Sequence, residues 1–138
     1  MTQDSKIKEI LTRTRRIALV GASANPSRPS HRVMNFLLKA GYEVVPVNPG
    51  LAGQTLLGQP VVAKLGDIAG DIDMIDIFRQ SDHVPEIVDE ALARFPQLGT
   101  IWMQIGVVHE EAAETARARG VDVVMNRCPA IEYPRLIS

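Results

Sequence analysis

Apolar residues along this chain follow two rhythms. Some blocks are short and nearly continuous: Ile17 to Val20, Val44 to Val47, Asp73 to Phe78, Thr100 to Met103 and Val121 to Met125. Runs of that length, bounded by Gly, Pro or polar residues, predict strands buried on both faces. Between them the apolar spacing lengthens to three and four. Ile7, Ile10 and Leu11 mark a helix over Asp4 to Thr14, and Val33, Phe36, Leu37 and Ala40 mark a second after Ser30. Val84, Ile87, Val88, Ala91, Leu92 and Phe95 mark a third, and Ala112, Ala113 and Ala116 a fourth.

The residues between these blocks set their ends. Ser30 is expected to cap the second helix, and Ser81 or Asp82 the third, with Pro85 in its first turn. Gly41 and Gly120 stop the second and fourth helices. Glu110 and Glu111 open the fourth with the charge that its dipole favours. Pro46 has no N–H, which suits a strand at the sheet edge. From Pro49 to Gly70, Gly50, Gly53, Gly58, Gly66 and Gly70 forbid a long helix, and the reading is a loop with one short strand near Val61-Val62. Pro129 and Pro134 predict a tail that wraps the surface with at most a short helix.

Strands that alternate with helices predict an α/β chain. Its sheet is mostly parallel, with five to six strands, helices on both faces and right-handed crossovers. The carboxyl ends of parallel strands share one edge, where such sheets bind ligands. Five segments should therefore converge: Gly21-Ala22-Ser23, Val47-Asn48-Pro49, Phe78-Arg79, Gln104-Ile105-Gly106 and Asn126-Arg127-Cys128.

The first segment carries the clearest chemistry. A strand, a small-residue loop and a helix start in succession form the layout that binds phosphate. Arg28, His31 and Arg32 crowd the helix end that repels cations, a cost that a bound anion reverses. The dinucleotide fingerprint G-x-G-x-x-G is incomplete, since Ser23 and Pro26 stand where its later glycines would be. The second strand runs into Asn48-Pro49 and lacks the carboxylate that would hold the ribose of NAD. A nicotinamide dinucleotide is thus the weaker alternative, and another phosphate-bearing small molecule is preferred.

Composition narrows the partners. The 138 residues fit one domain over 1–138, 46% apolar and 22% charged. A net charge of −1 gives no ground for a nucleic-acid or anionic-membrane partner. No apolar run reaches membrane-span or signal-peptide length, and the lone Cys128 excludes an internal disulfide, so a cytoplasmic location is expected. His31, His83 and His109 are scattered without metal-ligand spacing, and no metal is expected. Arg13, Arg15 and Arg16 read as a solvated junction. Asp76 is read as a buried carboxylate that accepts hydrogen bonds from a neighbouring loop; the rival reading, a general base, lacks a nearby partner in sequence. No catalytic residue is assigned.

Taken together, GAS after the first strand, VPVNP at 45 to 49, DIFR at 76 to 79, WMQIG at 102 to 106 and NRCP at 126 to 129 resemble the stand-alone CoA-binding-domain family. That family is similar to the CoA-binding domain of the succinyl-CoA synthetase alpha subunit. The resemblance runs from about Leu11 to Arg135 and implies a three-layer Rossmann-like fold with coenzyme A as ligand. It implies that Gly21, Ala22, Ser23 and Arg28, with Arg32 beside them, hold the pyrophosphate region, and that Val47, Asn48 and Pro49 line the adenosine pocket. Ile77, Phe78 and Arg79 would flank the nucleotide and the start of the pantetheine arm. Gln104 to Gly106 and Asn126 to Cys128 would face the rest of the arm. The synthetase-like VTPGK pattern has a lysine two residues after its proline, where this chain has Leu51. The expected role is a non-catalytic module for CoA or a short acyl-CoA, with a protein partner or self-association left open. An enzyme acting on a CoA thioester is the alternative. Cys128 is read as an inert buried cysteine, with a mixed disulfide to CoA as its alternative.

Overall fold

The computed structural model describes residues 2–137. The chain runs α1 (Gln3–Arg13), β1 (Arg16–Val20), α2 (Pro29–Lys39), β2 (Glu43–Val47), β3 (Thr55–Leu56), β4 (Gln59–Pro60) and β5 (Met74–Ile77). It continues through α3 (Val84–Arg94), β6 (Thr100–Met103), α4 (Glu110–Ala118), β7 (Asp122–Val124) and α5 (Pro129–Leu136). Five strands form one parallel sheet in the order β2-β1-β5-β6-β7. The chain moves outward from β1 to β2, then returns to place β5 on the other side of β1. That reversal opens a crevice above the carboxyl ends of β1 and β5, the point where such sheets take ligands.

Alternation along each strand divides the core into two layers. Ile17, Leu19, Met74 and Trp102 face one side, with Ile7 and Leu11 of α1, Met34 and Leu37 of α2, and Tyr133 of α5. Ala18, Ile75, Ile77, Ile101 and Met103 face the other, with Val88 and Ala91 of α3 and Ala113 and Ala116 of α4. β2 is an edge strand, where the missing N–H of Pro46 leaves no gap in the ladder.

The structure departs from expectation at several places, among them the start of α3, whose N-cap residue is His83, without a side-chain cap bond, rather than Ser81 or Asp82. Helix α2 starts two residues early: Pro29 takes the first turn, Arg28 is the N-cap residue without a side-chain cap bond, and Ser30 is buried inside the helix. The fixed φ of proline favours that first position. The glycine-rich loop pairs at Thr55–Leu56 and Gln59–Pro60, through a turn in which Leu57 and Gly58 both have positive φ, while Val62 makes only an isolated bridge to Val47. The tail forms an eight-residue helix, α5, anchored by the buried Glu132 carboxylate between Arg127 (2.9 Å) and Arg135 (2.8 Å). Two of the three arginines at the start of β1 are ties, whereas the Arg15 side chain is exposed to solvent as expected. Arg13 reaches Asp122 at 2.7 Å and Arg16 donates to the carbonyl of Asp71 at 3.1 Å. They lie at the amino end of the sheet, opposite the crevice.

Candidate functional site

The turn after β1 is fixed by its hydrogen bonds and by one close approach. Gly21 and Ala22 donate to the Val47 carbonyl at 3.1 and 3.3 Å, and Phe78 N–H donates to Val20 at 2.8 Å. Gly21 has φ +93°, and a Cβ there would lie 2.7 Å from the Phe78 carbonyl oxygen. Only glycine permits this passage between two strand ends. Asn48 joins the same knot. Its Nδ2 donates to the Ala22 carbonyl at 2.7 Å and its Oδ1 accepts from Gly50 N–H at 2.8 Å. At the far end, Asn126 adopts φ +60° and its Oδ1 accepts from Gly106 N–H at 2.8 Å. The five predicted segments meet along one edge.

Three cavities adjoin there. One of about 360 Å³ lies over Gly21, Ala22 and Ser23, against Arg28 and the start of α2. The start of α2 in its wall has no side-chain cap bond, and helix ends of this kind attract anions. A second, of about 670 Å³, is bounded by Val47, Asn48 and Pro49 on one side and by Lys64, Arg79 and Glu90 on the others. A third, of about 810 Å³, opens between α2 and α5, with Arg32, Phe78, Gln104, Gly106 and Cys128 in its wall. Shared walls make the three neighbours: Phe78 borders the first and third, and Arg79 the second and third.

Charge is distributed unevenly over this edge. Among the described residues, the side chains of Arg28, Lys64 and Arg79 make no ion pair and no hydrogen bond, whereas Arg32 donates to the Ser27 carbonyl at 2.6 Å. Lys64 escaped the sequence reading because it lies in a loop far from the helix start and belongs to no motif. The chain folds that loop back across β2, where Val62 donates to the Pro46 carbonyl and accepts from Asn48 N–H. A cation thereby reaches the chamber beside Pro49, although Leu51 offers none.

The remaining predicted residues play different parts. Ile77 is wholly buried in the layer under α3 and lines none of these cavities. Asn126 braces the Gly106 turn. Cys128 is buried and sits in the wall of the largest cavity. Gln104 is 6% exposed in that wall, and its Oε1 has no hydrogen-bond partner. Asp76 lies one layer deeper, flanked in register by Leu19 and Trp102. It is fully buried and neither carboxyl oxygen has a partner, so the expected hydrogen bonds from a neighbouring loop are not made. Burial pushes its pKa well above the usual carboxylate range. His83 and His109 stand at the starts of α3 and α4, and His109 Nδ1 accepts from Ala112 N–H at 3.1 Å. Among the described residues, no group of three or more His, Cys, Asp or Glu side chains could hold a metal ion, and no helix is long and apolar enough to cross a membrane.

The chain is 40% identical to YneT of Bacillus subtilis (strain 168) over 129 residues, which covers 94% of this chain and 93% of that protein. A solved Thermus thermophilus protein, cell-free ID.343, superposes with a TM-score of 0.92 at 35% identity, covering 99% of this chain and 100% of that one. The alpha subunit of the ADP-forming acetate–CoA ligase I of Pyrococcus furiosus is 26% identical over 84% of this chain, but this chain spans only 28% of that subunit. Residues 15–134 match the family model described as CoA binding domain, and the chain belongs to that family.

Proposed function

We propose that this chain binds coenzyme A across the carboxyl edge of its sheet and holds it without reacting it. The observation that carries this reading is the set of three unpaired cations, Arg28, Lys64 and Arg79, around adjoining cavities. Glu86 and Glu90 share the second cavity's wall but pair with none of the three, so each cation is available to a polyanionic ligand. CoA carries a diphosphate and a separate ribose phosphate. The diphosphate suits the 360 Å³ cavity, where Arg28 and the uncapped start of α2 supply positive charge. Adenosine suits the 670 Å³ chamber between Val47, Asn48, Pro49 and Lys64. The pantetheine arm then passes Phe78 and Arg79 along the wall that holds Gln104.

Holding rather than reacting is supported by the two groups that could do chemistry. Asp76 is sealed from the crevice by complete burial. The Cys128 thiol is 8% exposed and no base is hydrogen-bonded to it among the described residues. A thermal-shift panel tests the ligand. CoA at a hundred times its Kd should add about 2.7 kcal/mol, a rise in Tm of roughly 5 to 10 °C for a chain of this size. NAD should do little, because no carboxylate follows β2 to hold its ribose. A shift with NAD and none with CoA would reverse the assignment.

A further inference from the structure

The 810 Å³ cavity offers more than a pantetheine arm requires. Its polar lining is Arg32, Arg79, Gln80 and Gln104. The rest of the wall is largely apolar: Val33 and Phe36 of α2, Val107, and Ala130 of α5. Ile105 and Ile131 form opposite lips, 59% and 55% exposed, and both are bare to solvent. Two large aliphatic side chains left wet on either side of an apolar cleft are unfavourable unless something apolar covers them. The direction of the crevice says what arrives there. A ligand whose phosphates sit at Arg28 and Lys64, and whose arm passes Gln104, delivers its far end between those lips.

We infer that this chamber is an acyl subsite, and that the preferred ligand is a CoA thioester of a medium-length aliphatic acid rather than free CoA or acetyl-CoA. The inference rests on the CoA reading above and specifies what the thiol end carries. Within it the pantetheine amides lie toward Arg79, the aliphatic chain between Ile105 and Ile131. Burial of a methylene is worth roughly a fourfold gain in affinity when complete, so partial burial between the lips gives about two- to fourfold per methylene.

The test is a calorimetric titration of the whole chain with CoA and with acetyl-, butyryl-, hexanoyl- and octanoyl-CoA. Affinity should rise along the series, by at least about tenfold from acetyl- to hexanoyl-CoA. Ile131→Asp places a charge on one lip at an exposed position, so the fold is kept, and it should reduce the gain per methylene to near none. If CoA binds but chain length has no effect, or lengthening weakens binding, the acyl subsite is wrong and the CoA reading stands. If neither CoA nor any thioester binds, the reading beneath it fails. A slope that Ile131→Asp leaves unchanged would place the chain elsewhere and overturn the subsite.

Discussion

At the scale of single residues, Gly21 and Asp76 are two positions where the fold accepts a cost. Gly21→Ala would set a Cβ 2.7 Å from the Phe78 carbonyl oxygen in a backbone conformation with φ +93°. The conformation alone costs of order 1–3 kcal/mol, and relief of the clash must separate the ends of β1 and β5. Gly53 shares the conformation, with φ +87°, but nothing lies within 4 Å of its Cβ position. Gly53→Ala should therefore lose only the backbone term. Urea unfolding should show Gly21→Ala as clearly the less stable of the two, and CoA affinity should fall for that variant alone. Equal losses would remove the steric argument. Asp76 makes a pH-dependent contribution. Its folded-state pKa is raised by burial, so the folded chain keeps a proton that the unfolded chain releases near pH 3.8. This group is least costly below that pH, and stability falls as pH rises toward the folded-state value, by at most about 1.4 kcal/mol per pH unit. Asp76→Asn should match the wild type near pH 4 and exceed it at pH 7 in urea unfolding. A variant less stable than wild type at pH 7 would show that the carboxyl has a partner.

At the scale of elements, the helix start and the long loop determine where charge falls on the crevice. Arg28 is exposed at the uncapped end of α2, so Arg28→Ala should leave the fold intact and remove a charge-assisted contact. Calorimetry should find CoA weakened by about 1.5 to 3 kcal/mol, roughly ten- to a hundredfold in Kd. An unchanged Kd would take Arg28 out of the site. Lys64→Ala should weaken CoA more than it weakens dephospho-CoA, since the chamber beside Pro49 is assigned to the phosphorylated ribose; equal losses would place Lys64 elsewhere on the ligand. These elements also show what the sequence could tell. The buried runs of β1, β5 and β6 and the spaced apolar residues of α1 to α4 stand out, because one burial pattern runs the length of each. Pro46 alone indicated that β2 is an edge. The β3–β4 hairpin was hidden because its turn puts Leu57, a residue that disfavours positive φ, at 49°. Helix α5 was hidden because Pro134 lies inside it, and the packing of Tyr133 and Leu136 and the pairing of Glu132 outweigh that break. Lys64 could not be placed from sequence, since only the tertiary bridge between Val62 and Val47 carries it to the crevice.

At the scale of the whole molecule, the chain separates its charges by purpose. At the amino end of the sheet, Arg13, Arg16 and Asp122 are consumed in ties between elements. At the carboxyl end, Arg28, Lys64 and Arg79 stand unpaired around neighbouring cavities at the reversal of strand order. The net charge of −1 conceals this separation. Binding that depends on exposed cations is screened by salt, so CoA affinity should fall between 0.05 and 0.5 M NaCl, roughly the range over which the screening length shrinks below the size of the crevice. Insensitivity to salt would mean that the phosphates are not what the site grips. The most direct measurement is a crystal structure of the chain with coenzyme A. The account predicts density for the diphosphate above the Gly21 turn at the start of α2, adenosine beside Asn48 and Pro49, and the thiol end between α2 and α5. Ordered density for the ligand at any other surface, with the Gly21 turn empty, would contradict it.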